Sequence, residues 1–214
     1  MERREELLRA AARVYAQHGY RGSTTRRIAD EAGVNEITIF RQFGTKDALI
    51  HEAIATCGGD APAPTLPAVP VDPVAELSAW AVKLRAHING TRMLLRRCMS
   101  ERDEHPQLIA SANQGPIRAA RDLAAYLERL REHGMASGEF DARMAASMLL
   151  GSVFADAMGR DVMPDVYPGS PAKAVEQYVC FLLRGIGATL PSAASSASPS
   201  ASPHALSHAQ HADS

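Results

Sequence analysis

The sequence contains few of the residues that build disulfide frameworks, zinc clusters or membrane spans. Its 214 residues include three cysteines, Cys57, Cys98 and Cys180, and aromatic residues make up 5% of the chain. An odd number of cysteines without CxxC spacing argues against both a disulfide framework and a zinc site. No apolar stretch approaches ~20 residues, and no charged start leads into an apolar run, so neither a membrane span nor a signal peptide is predicted. A reducing cytoplasm is the location that fits best.

The common catalytic motifs are also missing. The chain has no GxGxxG, Walker loop, GxSxG or HExxH sequence, so no candidate nucleophile lies beside a base. An enzyme is therefore a weak hypothesis, and no cofactor is expected. The acidic run at residues 101–105 is expected to be solvated at a helix end, and the histidines at 204–211 lie in a low-complexity tail. No metal site is predicted from either group.

The patterning that is present is helical throughout. Apolar residues make up 46% of the chain, and with few aromatics this composition suits helices built from Ala and Leu. The apolar periodicity predicts an all-α fold, with breaks at Asn89-Gly90, Gly134 and Pro191. The predicted helices cover residues 3–18, 25–32, 36–43, 46–57, 73–88, 91–104, 106–133, 140–160 and 171–190.

Residues 24–46 have the pattern of a DNA-binding helix-turn-helix. With Thr25 as the first position, Ala29 is the fifth, Gly33 the ninth and Ile39 the fifteenth. Ala29 must be small because the second helix crosses there, Gly33 can take the positive φ of a sharp turn, and Ile39 fills the angle between the helices. Three matches at this spacing, inside the right apolar pattern, are a specific signal.

Polar and basic residues around this motif provide candidate DNA contacts. The net charge is -1, yet Arg21, Arg26, Arg27, Arg41 and Lys46 are concentrated in one short region. Each of them taken singly could also belong to an ordinary solvated surface. The helix at 36–43 is the candidate recognition helix, because its apolar residues cannot all face inward. Ile37 is expected on the DNA side, where a thymine methyl could receive it.

The order of these motifs resembles the N-terminal domain of the TetR family of bacterial transcriptional regulators, over roughly the first 55 residues. The matching residues are Gly19-Tyr20, Thr24-Thr25, Ile28-Ala29, Ala32-Gly33-Val34, Thr38-Ile39-Phe40, Phe43 and Lys46-Asp47-Ala48-Leu49. The family usually has Tyr where this chain has Phe40, so a hydroxyl that would reach a phosphate is missing. It often has an aromatic residue where this chain has Gln42.

The resemblance implies a ligand-responsive regulator, a repressor in function, that binds a near-palindromic double-stranded DNA operator as a homodimer. We expect three parts: a helix-turn-helix DNA-binding domain at 1–56, a helical ligand-binding and dimerisation domain at 72–190, and a disordered tail at 191–214. The expected DNA contacts are Thr24, Thr25, Arg26, Asn35, Glu36, Ile37, Thr38, Phe40, Arg41 and Lys46. Arg41 is expected to read guanine, and Lys46 to hold a phosphate.

The resemblance also implies a pocket for a small-molecule inducer of unknown identity. The side chains expected to line it are Trp80, Leu84, Met93, Cys98, Ile117, Arg121, Met148 and Phe154. The apolar faces of the helices near 142–158 and 172–187 are expected to pair across a two-fold axis, although they could instead pack within the chain. Two other readings stay open: a helical scaffold or partner-binding protein with an incidental basic patch, and an enzyme that uses the C-terminal cavity.

Overall fold

A computed structural model describes residues 2–59 and 65–189. The predicted tail at 191–214 lies outside these residues. The first four helices, which we call the head, are α1 (Glu2–Gly22), α2 (Thr25–Ala32), α3 (Glu36–Phe43) and α4 (Lys46–Ile54). A single π-helical turn, Ala55–Gly59, continues from α4. The head therefore has the four helices that the sequence predicts, although α4 ends at Ile54 rather than at residue 57.

Side-chain caps and one glycine set the limits of the head helices. The side chains of Thr24, Asn35 and Thr45 accept hydrogen bonds from backbone N–H groups at the starts of α2, α3 and α4. Helix α1 is interrupted at Gly19, which has a φ of 68°. A left-handed residue at this place redirects the chain toward α2, as the sequence predicts for a helix end.

The remaining five helices, which we call the body, are α5 (Pro73–Ser100), α6 (Pro106–Ala112), α7 (Gln114–Glu132), α8 (Ala142–Gly159) and α9 (Pro171–Gly185). A short 3-10 turn, Pro164–Val166, lies between α8 and α9. No strand occurs among the described residues, where an isolated antiparallel bridge joins Ala136 to Ala188. None of the described helices is long and apolar enough to cross a membrane. The all-α prediction is confirmed.

Two separate hydrophobic cores hold the helices together. The body core is built around residues such as Trp80, Leu123, Leu127, Val153 and Val179. The head core encloses apolar residues of α1 to α4, and it also contains Leu94 and Cys98 of α5 with Leu108 and Ala112 of α6. Helix α5 thus contributes its first part to one core and its last part to the other.

In the body, three predictions of where a helix breaks or ends are wrong. Helix α5 runs straight through Asn89 and Gly90, because Ile88 before this pair and Leu94 after it are both buried, and tertiary packing outweighs the low helix propensity of glycine. The helix predicted at 106–133 is divided at Asn113, since Pro116 cannot donate a hydrogen bond to the carbonyl of Ala112 and its ring would clash with it.

The last helix ends at Gly185 rather than at residue 190. Gly187 has a φ of 70°, and the N–H of Ala188 turns back to the carbonyl of Leu183 at 2.8 Å. A left-handed glycine followed by such a bond is a standard helix C-terminus. The carbonyls of Gly187 and Ile186 accept hydrogen bonds from the N–H groups of Ser137 and Gly138.

Candidate nucleic-acid interface

Helices α2 and α3 are packed in the manner that the spacing of the motif predicts. Ile28 and Ala29 of α2 and Ile39 of α3 are buried between the two helices. Gly33 between them has a φ of 64°, and the N–H of Val34 donates to the carbonyl of Ala29 at 3.0 Å. The turn therefore has the left-handed residue that it requires, and α3 is held by one face only.

The opposite face of α3 is exposed and partly apolar. Ile37 is 73% exposed and Phe40 50% exposed, while Arg41 lies beside them on the surface. Ile37 is thus exposed, as the number of apolar residues on α3 predicts, and Phe40 is exposed as well, while a DNA contact by either residue stays a prediction. Asn35 caps the helix, its Oδ1 accepting from the N–H of Ile37 at 2.9 Å. Thr38 is half-buried on the edge of this face.

Contacts within the protein divide the five cations of the basic region into two groups. Arg21 forms an ion pair with Glu104 at 3.5 Å, Arg27 donates to the carbonyl of Gly22, and Lys46 donates to the carbonyl of Tyr20 at 2.9 Å. Arg26 and Arg41 are exposed and have no hydrogen bond or ion pair with any described residue. These two guanidinium groups are thus available to a ligand on the α2–α3 surface.

Lys46 is more constrained than a flexible phosphate clamp would be. Its ammonium lies 4.0 Å from the centre of the Tyr20 ring in addition to its hydrogen bond with the Tyr20 carbonyl. The Tyr20 hydroxyl donates to Asp47, the residue that follows Lys46 in α4. Burial, together with the Asp47 carboxylate, raises the pKa of Tyr20 to about 12, so this hydroxyl keeps its proton. An ammonium has three donors, and a phosphate contact by Lys46 stays a prediction.

Tyr20 also joins the head to the body, a role that the sequence did not reveal. Its backbone N–H donates to the Glu101 carboxylate at 3.1 Å, and its ring lies 4.0 Å from that of His105. Arg97 donates to the carbonyls of Ala16 and Gln17. The expectation that residues 101–105 are solvated is thus wrong for Glu101. A side chain at Gly19 would collide with Glu101, so the glycine allows this close approach.

The eight side chains expected around an inducer pocket lie in different places. Trp80 is buried in the body core and Cys98 in the head core, where burial raises the pKa of its thiol to about 11. Met93 lines a groove between α1 and α5, whereas Met148 lines a groove between α8 and α9. The remaining four are half-buried or exposed on the body, namely Leu84, Ile117, Arg121 and Phe154. A ligand role for these residues stays a prediction.

The apolar faces of α8 and α9 are used partly within the chain. Leu149, Val175 and Val179 are buried in the body core, as are Ala145, Leu182 and Ile186. Met148 and Ala155 are exposed as a dimer face requires, and so are Met144 and Phe181, which the periodicity did not single out. Together with Ser152 and Gly185, several of these side chains line an open groove of about 400 Å³.

Comparison with known proteins agrees with this geometry. Residues 7–53 match the sequence model of the bacterial regulatory proteins of the tetR family. The chain is 44% identical over 46 residues to the HTH-type transcriptional repressor AcnR of Corynebacterium efficiens, a match that covers 22% of this chain and 24% of that protein. It is 38% identical over 52 residues to the repressor KstR2 of Mycobacterium tuberculosis. This match covers 24% of this chain and 26% of that protein. The chain thus matches about a quarter of the length of these curated relatives.

Solved structures are similar over nearly the whole chain. A transcriptional regulator from Rhodococcus sp. Rha1 superimposes with a TM-score of 0.67 at 24% identity, covering 88% of this chain and 99% of the other. A TetR transcriptional regulator from Agrobacterium tumefaciens superimposes with a TM-score of 0.66 at 18% identity, covering 87% of this chain and 95% of the other. The head of this chain thus matches the sequence model of the TetR family of bacterial regulatory proteins, and the chain as a whole has the fold of solved regulators of that family.

Proposed function

We propose that this protein is a ligand-responsive transcriptional repressor that binds a near-palindromic DNA operator as a homodimer. The observation that carries the proposal is the outer surface of α2 and α3. It combines exposed apolar side chains, Ile37 and Phe40, with two arginines, Arg26 and Arg41, that are unpaired within the described part of the chain. An α-helix with such a face fits the major groove, where arginine pairs with guanine and apolar groups contact thymine methyls. A cytoplasmic location follows from this function.

The open groove between α8 and α9 supports the homodimer. Met148 is 62% exposed and Phe181 78% exposed, and both line a concave apolar surface. Two such surfaces related by a two-fold axis would cover each other and form a four-helix interface. The dimer would place two α3 helices on successive major grooves, ~34 Å apart or a multiple of that distance.

A ligand-dependent response is supported by the way that α5 connects the two cores. Helix α5 packs against α8 and α9 in the body, and its end binds the head through Arg97 and Glu101. In the body, the indole N–H of Trp80 is buried without a hydrogen-bond partner among the described residues, a donor that a bound ligand could satisfy. A ligand that favours one position of α5 would change the positions of the heads.

The DNA proposal is tested by fluorescence anisotropy with the DNA that flanks the protein's own gene. Arg41→Ala should weaken binding of the best site by roughly 1–3 kcal/mol and relax preference at one base pair. Arg26→Ala should lower affinity for that site as well, since its guanidinium is also unpaired. Arg118→Ala, which removes one exposed arginine from α7, is the matched control and should bind like the parent protein.

Salt dependence separates this function from an incidental basic patch. Each lost phosphate contact should reduce the slope of log K against log salt by about one. Uniform loss of affinity over an operator library for both Arg26→Ala and Arg41→Ala would assign both residues to the DNA backbone. Equal and weak binding to all DNA by the parent protein would contradict a sequence-specific regulator.

A further inference from the structure

One hydrogen bond joins the first residues of the two motif helices. The Thr25 hydroxyl at the start of α2 donates to the carboxylate of Glu36 at the start of α3. Both side chains are half-buried. This is the only hydrogen bond that the Glu36 side chain makes with any described residue, and no described cation pairs with it. The carboxylate is thus fixed in direction, and its second oxygen has no partner within the described chain.

A carboxylate at this place opposes general binding to DNA. Arg26 and Arg41, which form no ion pair with any described residue, do not neutralise it. Close to a phosphate backbone an unpaired carboxylate is repelled, and its desolvation is costly unless a donor replaces the lost water. Glu36 therefore favours DNA that presents a hydrogen-bond donor to it and disfavours DNA that does not.

We propose, resting on the DNA-binding function above, that Glu36 selects a cytosine in the operator and that Thr25 positions it. The N-terminal residues of a recognition helix contact base edges, and Glu36 is the first residue of α3. In the major groove the donors are the amino groups of cytosine and adenine. Adenine places the acceptor N7 beside its amino group, which repels a carboxylate, whereas cytosine has no acceptor of its own beside N4.

The same contact gives Thr25 and Thr24 different tasks. The Thr25 hydroxyl proton is committed to Glu36, so Thr25 acts through Glu36 as a positioning residue. The Thr24 oxygen accepts from the N–H of Arg27 at 3.2 Å, which leaves its own proton free to donate to a phosphate. The two neighbouring threonines thus divide base selection and backbone contact between them.

The test measures affinity for an operator library in which every position of a half-site carries each of the four bases. The parent protein should prefer cytosine at one position by about tenfold over the other bases. Glu36→Ala should abolish that preference and bind non-specific DNA more tightly, since a negative charge is removed. Glu36→Gln should shift the preference toward adenine, the base that an amide pairs with in two places.

Variants of Thr25 separate positioning from stability. Thr25→Val should reduce the cytosine preference at the same position, whereas Thr25→Ser, which keeps a donor hydroxyl, should retain it. Base preference at the position read by Arg41 should be unchanged in Thr25→Val and Thr25→Ser. Circular dichroism would show that each variant is folded. A purely structural role of the Thr25 to Glu36 bond would lower the melting temperature without changing base preference.

An unchanged preference profile in Glu36→Ala and Glu36→Gln, with DNA binding intact, would overturn this inference and leave the DNA-binding function standing. Absence of sequence preference in the parent protein would instead contradict the function itself. The two failures are therefore distinguishable in a single set of titrations.

Discussion

Among individual residues, Asp156 is a buried charge that joins several helices of the body. It is fully buried in α8 and forms ion pairs with Arg85 of α5 and with Arg160. The Tyr178 hydroxyl of α9 donates to it at 3.1 Å. Arg160 in turn donates to the carbonyls of Tyr167 and Gly169 at 2.6 and 2.7 Å. One carboxylate thus fixes three helices and the connection between the last two.

Asp156→Asn should destabilise the protein by about 3 kcal/mol, because it leaves two largely buried guanidinium groups without their counter-charge. Urea denaturation at pH 7 measures the change. Asp161→Asn is the matched control, since Asp161 pairs with Arg92 and Arg96 on the surface and its loss should change stability little. Equal effects of the two substitutions would contradict the role given to Asp156.

Lowering the pH should remove the stabilisation that the Asp156 carboxylate provides. Desolvation raises the pKa of Asp156, but hydrogen bonds from Arg160 and Arg85 outweigh it and hold the pKa below its usual value. A carboxyl group with a depressed folded-state pKa stabilises the fold above its unfolded-state pKa, near ~3.9, and loses that contribution as the pH falls through the folded value. The unfolding free energy of the parent protein should therefore fall below pH ~4 more steeply than that of Asp156→Asn.

At the scale of elements, α5 contains a glycine that serves no conformational need. Gly90 lies inside the helix, is exposed, and an added Cβ would meet nothing within 4 Å. Gly90→Ala should stabilise the protein by about 0.5–1 kcal/mol by lowering the entropy of the unfolded chain. A Cβ at Gly33 would also meet nothing within 4 Å, but this residue has a φ of 64°. Gly33→Ala should therefore destabilise the protein by about 1 kcal/mol. Thermal melts of both variants make the comparison.

The sequence predicted elements well where the signal is local. The turn between the motif helices depends on near neighbours, and Gly33 has the positive φ that the spacing predicts. The sequence predicted elements poorly where packing between distant residues determines the structure. Helix α5 stays continuous because Ile88 packs in the body core and Leu94 packs in the head core. Glu101 accepts a hydrogen bond from Tyr20, which lies 81 residues earlier in the sequence. No local pattern contains these partners.

The candidate site was predictable to a similar extent. Its helices and the exposure of Ile37 followed from spacing and from the number of apolar residues on α3. The bond between Thr25 and Glu36, and the division of the five cations into paired and unpaired groups, did not. Both depend on side-chain directions that are set only once the four helices of the head pack together.

At the scale of the whole molecule, dimerisation through α8 and α9 can be tested by adding charge to the groove. Met148→Glu combined with Phe181→Glu should yield a monomer, because four carboxylates would meet in an apolar interface. Sedimentation equilibrium measures the mass, and operator affinity should fall with it. Val166→Glu, at an exposed position outside the groove, is the control and should leave the dimer intact. A dimer that survives the double substitution would place the interface elsewhere.

The passage of α5 through both cores has a practical meaning for building hybrid regulators. A head cut from this chain at residue 56 and joined to a foreign sensor would lose Leu94 and Cys98, together with Leu108 and Ala112, from its own interior. It would also lose the Glu101 carboxylate that accepts from Tyr20. A transplant that retains DNA recognition should therefore carry residues 91–112 with it, even though they come after the connection that looks like the natural place to cut.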